Sequence, residues 1–327
     1  MTLGSLSLRR VVVGLLIIGV LFGAGLCAAV LAVGLALSSP APAAIGPPPP
    51  TLPGAETVEI PSASGSTLHG WWIPGTVPGG GAVVLMHGVW ENRQRMVPRA
   101  RILHQHGFAV LLFDLQAHGE SPGRRITFGR LEGMDAAAAV QFVRSRLPDE
   151  RVGAIGVSLG GAATVLGPEP LPVDALVLES VYPDIDAALS NRLRAGLGRV
   201  AGRLFTPLLT PVFELLLPPI LGVTPDELRP IDHIGSATAP LLVASGTVDD
   251  RTPLNEARAL FDHARDPKRF WAVQGAAHVD LERYGSDQYW NNVLPFLVAT
   301  LQQRPLERQS QSPVTAMPAI NVIPSIR

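Results

Sequence analysis

Within "RVGAIGVSLGGAATVLG" (Arg151 to Gly167), Gly156-x-Ser158-x-Gly160 sets a serine between two glycines. A hydroxyl is a weak nucleophile until a base takes its proton, and the base needs an acid to orient it. The sequence supplies both further on, each directly after an apolar run. "LLVASGTVDD" ends on Asp249 and Asp250, and "FWAVQGAAH" ends on His278. Serine, then carboxylate, then histidine is the chain order of one known catalytic constellation. The chemistry expected is covalent: Ser158 attacks, His278 takes and returns the proton, and Asp249 orients the imidazole. Asp249 is preferred to Asp250. It lies three residues past Gly246, whereas Asp250 could serve the N-terminus of the helix that starts at Thr252-Pro253. The glycine motif alone is cheap in a chain with 33 glycines; its weight comes from the two later positions.

A serine attack on a carbonyl also needs backbone N–H donors for the negative oxygen that forms. Leu159, directly after the serine, is one candidate. The other comes from "MHGVW", where Val89 is the first choice and Trp90 the second. The remaining histidines compete weakly. His104, His106 and His263 fall on expected helices, His69 and His233 have no partner motif, and His118 in "DLQAHGES" reads as part of a structured turn.

These residues have to be held at strand ends. "ETVEI", "STLHGWWI", "AVVLM", "FAVLLFD", "RVGAIGVS", "VDALVLES", "APLLVASG" and "KRFWAVQG" read as eight strands. Helical stretches from Arg93 to His106, from Leu131 to Leu147, after Leu159, over "TPLNEARALFDHA" and over "SDQYWNNVLPFLVATLQ" alternate with the later ones. That alternation predicts an α/β fold, a mostly parallel sheet covered on both faces. Ser158, Asp249 and His278 then sit at the carboxyl ends of their strands, where sites form in such sheets. Residues 186–222 break the alternation with an apolar helical excursion, expected to be interrupted by Pro207, Pro211 and Pro218-Pro219. A helical cap over the pocket is expected there, with lipid contact as a further option.

"VVLMHGVWENR", "FDLQAHGES", "GVSLGG", "ASGTVDDRTP" and "GAAHVDL" resemble, in order, signature segments of the α/β-hydrolase superfamily. The branch they most resemble is that of membrane-anchored serine hydrolases with esterase, thioesterase and peptidase-like activities. The resemblance covers about residues 56–301. It implies an eight-stranded sheet, hydrolysis through an acyl-enzyme, and no cofactor or metal. One departure is Ala117, where relatives often carry glycine before the histidine of "AHG". The substrate expected is a small-molecule or lipid acyl compound cleaved at an ester or thioester. A peptidase or acyltransferase on the same triad, or a non-catalytic binding protein of this fold, are the alternatives. Glu179, Asp184 and Asp186 could grip a substrate amine for a peptidase, against the simpler reading of solvated loop carboxylates.

Composition bounds the rest. The formal net charge of −1 gives no sign of nucleic-acid binding. Cys27 is the single cysteine, so no intrachain disulfide forms and no thiolate metal site exists. Arg9-Arg10 precede 27 uncharged residues, Val11 to Leu37, more than the ~20 needed to span a bilayer and longer than a signal-peptide core. The segment is expected to be an uncleaved single-pass anchor, with residues 1–10 cytoplasmic and the rest on the opposite side. A signal cleaved at the small residues after it is the alternative. Residues 38–54 read as a stiff Pro-rich spacer, 55–306 as the globular domain and 307–327 as a disordered tail.

Overall fold

The computed structural model describes residues 3–278 and 280–302. The tail expected from residue 307 lies outside them. Eight strands form one sheet: β1 Glu56–Pro61, β2 Thr67–Ile73, β3 Ala82–Met86, β4 Ala109–Phe113, β5 Val152–Val157, β6 Ala175–Glu179, β7 Leu241–Gly246 and β8 Lys268–Val273. Their spatial order is 1-2-4-3-5-6-7-8. The β1–β2 and β2–β4 pairs are antiparallel, and every other pair is parallel. Every residue of β3, β4 and β6 is buried, as unbroken apolar runs require when both sheet faces are covered. One face packs against α3 (Arg130–Arg146) and α4 (Leu159–Val165), the other against α2 (Val97–Gln105) and the last helix, Ser286–Leu301.

Two further helices stand outside that plan. Helix α1 covers Leu3–Leu37 and helix α5 covers Ile185–Leu221. Asp184 caps the start of α5, accepting from Ala187 N at 2.7 Å. The prolines expected to interrupt α5 do not. A proline loses one backbone bond and bends a helix, but φ stays helical. The chain reverses instead at Gly198, whose φ of 76° and ψ of 174° suit glycine. The limbs on either side lie together, with Ser190 Oγ 3.1 Å from Thr210 Oγ1. The region is thus a helical hairpin. Its returning limb packs on the end of α1, where a Cβ on Gly34 would lie 3.0 Å from Ile220 Cδ1 and 3.9 Å from Phe213 Cε1. The far part of α1 is bare: its large apolar residues from Val11 to Leu21 are 46–70% exposed. Arg10–Leu37, with a mean hydropathy of 2.7, and Val200–Leu221, at 1.6, are long and apolar enough to cross a membrane by length and composition.

Residues 38–54 do not stand off as a spacer. Ala41–Pro42 pairs in parallel with His118–Gly119, and Ile45 N and Gly46 N each donate to Glu120 Oε1 at 2.9 Å. Leu52 is buried. Proline-rich backbone is extended and its free carbonyls and remaining N–H groups can pair with a neighbouring turn; here the "AHGE" turn takes them. At the end of α1, Arg125 Nη1 donates to Leu35 O at 3.0 Å and Ile126 N donates to Ser38 O at 2.9 Å. The apolar helix is therefore fastened to the domain without slack.

Candidate active site

Ser158 sits between the end of β5 and the start of α4 with φ 50° and ψ −109°. A non-glycine residue there is strained, and the surrounding structure has to hold it. Ser158 N donates to Glu179 O at 2.8 Å and Ala162 N donates to Ser158 O at 3.0 Å. The flanking glycines explain why the turn closes. A Cβ on Gly156 would come within 2.5 Å of Gly161 Cα, and one on Gly160 within 2.5 Å of Met86 O. Both obstacles are backbone, so neither can yield cheaply.

His278 and Asp249 meet across two loops. His278 Nδ1 lies 2.9 Å from Asp249 Oδ2 and 3.2 Å from Oδ1. Asp249 is itself held, since Oδ1 accepts from Arg251 N at 2.9 Å and Thr252 N at 2.8 Å. Its side chain is fully buried. The two loops are stitched together by Val248 N donating to Ala276 O at 3.0 Å and Thr247 N to Val273 O at 3.0 Å. Gly246 makes this possible, because any Cβ there would strike Ala276 O. Asp250 is exposed and faces a different cavity. A nitrogen that donates to a carboxylate from Nδ1 leaves Nε2 as the free base position. His278 and Ser158 line one cavity.

The loop after β3 comes over the serine. Val89 and Leu159 both line an apolar cavity with Ser158, and among the described residues no backbone group accepts from either N–H. Gly88 N is taken by Glu91 Oε2 at 3.0 Å. Trp90 adopts φ 59°. His87 anchors the loop from beneath. Its Nε2 accepts from Leu115 N at 3.1 Å and its Nδ1 donates to Gly88 O at 2.8 Å, which requires a neutral ring. Complete burial, helped by His118 with its ring centroid 5.1 Å away, lowers the His87 pKa to about 3. His118 supports the turn at Gln116 and is no part of the site.

Ser158 stands between two unlike spaces. On one side is a narrow apolar cavity, with Leu37 from α1, Ile185 and Leu189 from α5, and Phe128 and Tyr182 among its walls. The cap expected at 186–222 thus contributes its first turns, and α1 its last. On the other side is a more polar cavity that also reaches His278, with Glu91, Arg95, Arg99 and Asp280 in its walls. Arg95 Nε lies 3.1 Å from Glu91 and 3.2 Å from Asp280. Arg99 pairs with Glu179 at 2.7 Å and with Asp280 at 2.8 Å, and Tyr289 donates to Glu179 at 2.5 Å. Glu179 is therefore a buried ion-pair partner rather than a solvated loop carboxylate, and Asp184 is a helix cap. The polar side was missed in the sequence. One signal for it was present: Arg99 shares the apolar face of α2 with Met96, Ala100 and Leu103, and a cation on such a face needs a buried partner.

A strained serine between a strand and a helix, at the carboxyl edge of this sheet order, defines the class: the chain belongs to the α/β-hydrolase superfamily. A family profile described as serine aminopeptidase, S33, matches residues 79–216. The uncharacterized protein Rv2307c of Mycobacterium tuberculosis is 31% identical over 252 residues, 76% of this chain and 81% of that one. The uncharacterized protein YfhR of Escherichia coli is 26% identical over 257 residues, covering 76% and 82%. In fold the chain is similar to the Pyrococcus furiosus esterase Pf2001, with a TM-score of 0.65 and 23% identity over 81% of this chain and 98% of the other.

Proposed function

We propose that this chain is a serine hydrolase that cleaves a carboxylic ester or thioester with an apolar acyl group. One observation carries the reading: a strained Ser158 divides an apolar cavity from a polar one, and His278, held by Asp249, opens onto the polar one. In the proposed reaction the acyl chain lies in the apolar cavity. Ser158 Oγ attacks the carbonyl as His278 Nε2 takes its proton. The oxygen gains negative charge opposite Val89 N and Leu159 N. The carbonyl re-forms, the bond to the leaving group breaks, and His278 returns the proton to that group on the polar side. Water, deprotonated by the same imidazole, then releases the acid and restores Ser158. The reaction needs no cofactor. Helix α1 is proposed as a single-pass membrane anchor with the catalytic domain on the non-cytoplasmic side, in keeping with Arg9-Arg10 before the span.

An aminopeptidase reading would need a free carboxylate to hold a substrate amine. Glu91 and Asp280 line the polar cavity, but neither is free: both pair with Arg95, and Asp280 pairs with Arg99 as well. The ester reading is favoured on that ground. The test is covalent labelling of the full chain by a fluorophosphonate, with turnover of p-nitrophenyl esters measured beside aminoacyl p-nitroanilides. Ser158→Ala should abolish labelling. Wild-type protein that neither labels nor turns over an ester would overturn the assignment, and faster turnover of the anilides would move it to the peptidase.

A further inference from the structure

The apolar cavity at Ser158 does not end inside the domain. Leu37, Leu189 and Arg192 line it, and the same three residues line a second, more open cavity whose walls include Leu193, Leu197 and Phe213. The two spaces therefore adjoin across these three side chains. The second is enclosed by helices alone: α1 supplies Val33 and Leu37, and the two limbs of the α5 hairpin supply the remainder. From Leu189 to Leu197 is eight residue steps, about 12 Å of helix axis. Among the described residues Arg192 is the one charged wall residue of either cavity, and an arginine stem is itself aliphatic.

The far end of this path is an unusual surface. Leu197 stands beside the Gly198 reversal, and beyond it Val200, Leu204 and Phe205 are 76%, 63% and 50% exposed. These residues begin the second stretch that is long and apolar enough to cross a membrane, and the bare part of α1 is the first. Exposed apolar area of this extent on two adjacent helices marks a surface that water does not cover in the working protein.

We propose that the substrate's acyl chain passes between α1 and the α5 hairpin, so that Ser158 is served directly from the hydrocarbon of the bilayer. The substrate class is then an acylated membrane amphiphile, with its chain in the helical groove and its polar head on the Glu91–Arg95–Asp280 side. Helix α1 is a wall of the binding site as well as an anchor. This rests on the serine-hydrolase reading above. The arrangement argues for it: two adjoining apolar cavities, the first at the candidate nucleophile, have walls drawn from both membrane-competent helices, and the second lies beside bare apolar side chains. An acyl chain taken from water would instead have to cross that apolar surface.

The test uses the full chain in phosphatidylcholine nanodiscs and a long-chain fluorophosphonate carrying a diazirine at the far end of its alkyl chain. The phosphorus is captured by Ser158 with loss of fluoride, and irradiation then marks whatever lies at the chain's end. Peptide mapping should find the cross-links on residues 33–37 and 189–213 or on bilayer lipid next to them. Cross-links on the polar cavity or on the far side of the domain would overturn the proposal. A short-chain fluorophosphonate separates the two layers of argument. If neither probe labels, the serine-hydrolase reading fails; if the short one labels and the long one reacts no faster in the nanodisc, only the groove fails. Leu189→Trp, at the junction, should lower the ratio of long-chain to short-chain labelling rates at least tenfold, and an unchanged ratio would count against the path. For the source, a long-chain ester in the enzyme's own nanodisc should be cleaved faster than the same ester in separate discs; equal rates would refute delivery through the bilayer.

Discussion

His87 offers the sharpest test of how the loop over Ser158 is held. Its ring is fully buried and neutral, with a pKa lowered to about 3 from an ordinary 6.5. The unfolded chain binds the proton more readily than the folded one. Stability is therefore complete above the unfolded value of 6.5 and is lost as pH falls towards the folded value. At about 1.4 kcal/mol per pH unit, the loss reaches about 3 kcal/mol by pH 4.5 and about 4 kcal/mol by pH 3. Other groups titrate in that window. Asp135, raised by burial to about 6, acts with the opposite sign: it favours the fold at low pH and loses that contribution as pH rises through 6. His118, lowered by burial, acts with the same sign as His87. The comparison with His87→Gln isolates the one ring, because a glutamine can accept from Leu115 N and donate to Gly88 O without a titrating proton. Urea unfolding of the detergent-solubilised full chain, followed by tryptophan fluorescence, is measured at pH 7.5 and 4.5. The wild type should lose about 3 kcal/mol more than the variant between those values. Equal losses in the two proteins would refute the account of a neutral, fully desolvated anchor.

Asp249→Asn keeps the shape but lets the wrong histidine nitrogen carry the proton. It should lower kcat about ten-thousand-fold with little change in the unfolding midpoint. Gly160→Ala places a methyl group 2.5 Å from Met86 O. Fluorophosphonate labelling should fall sharply, and wild-type labelling would show that the turn is not built as described. Arg99→Met leaves Glu179 without its cation and removes one of the two cations on Asp280, so the protein should lose about 3–5 kcal/mol; Glu179 and Asp280 taken to Gln and Asn in the same chain should restore part of it.

The strand ends were legible because local sequence determines them. A five-residue apolar run bounded by turn residues reads as a buried strand, and the glycines of "GVSLGG" allow a sharp turn that a side chain would block, since a Cβ on Gly156 or Gly160 would meet backbone. Asp249 was separable from Asp250 for a similarly local reason: its carboxylate is folded back onto Arg251 N and Thr252 N, two and three residues on. Ala117 was visible as a departure, and its φ of 60° shows why glycine would suit that position better. What stayed hidden depends on chain segments far apart. Glu179 reads as a strand-end acid until Arg99, 80 residues away, is placed against it. The Pro-rich segment reads as a spacer until the "AHGE" turn supplies its partners.

The same distance effect governs the substrate side. Residues 186–222 show an apolar helical pattern, and α1 shows another, and each alone is satisfied by a membrane. Only their contact at Gly34, Phe213 and Ile220 turns two apolar helices into walls of one groove, and only the fastening of Leu35 and Ser38 to Arg125 and Ile126 brings Leu37 to the cavity of Ser158. With α1 as the proposed anchor, a flexible spacer after it would let the domain drift from the bilayer and would leave that cavity open to water. The docked segment removes the slack, so the position of the hydrolase domain against the helix is part of the site's geometry. On this reasoning a flexible Gly-Ser insertion between Ser39 and Pro40 should cost long-chain turnover more than short-chain turnover. Equal losses would mean that the fastening serves stability alone.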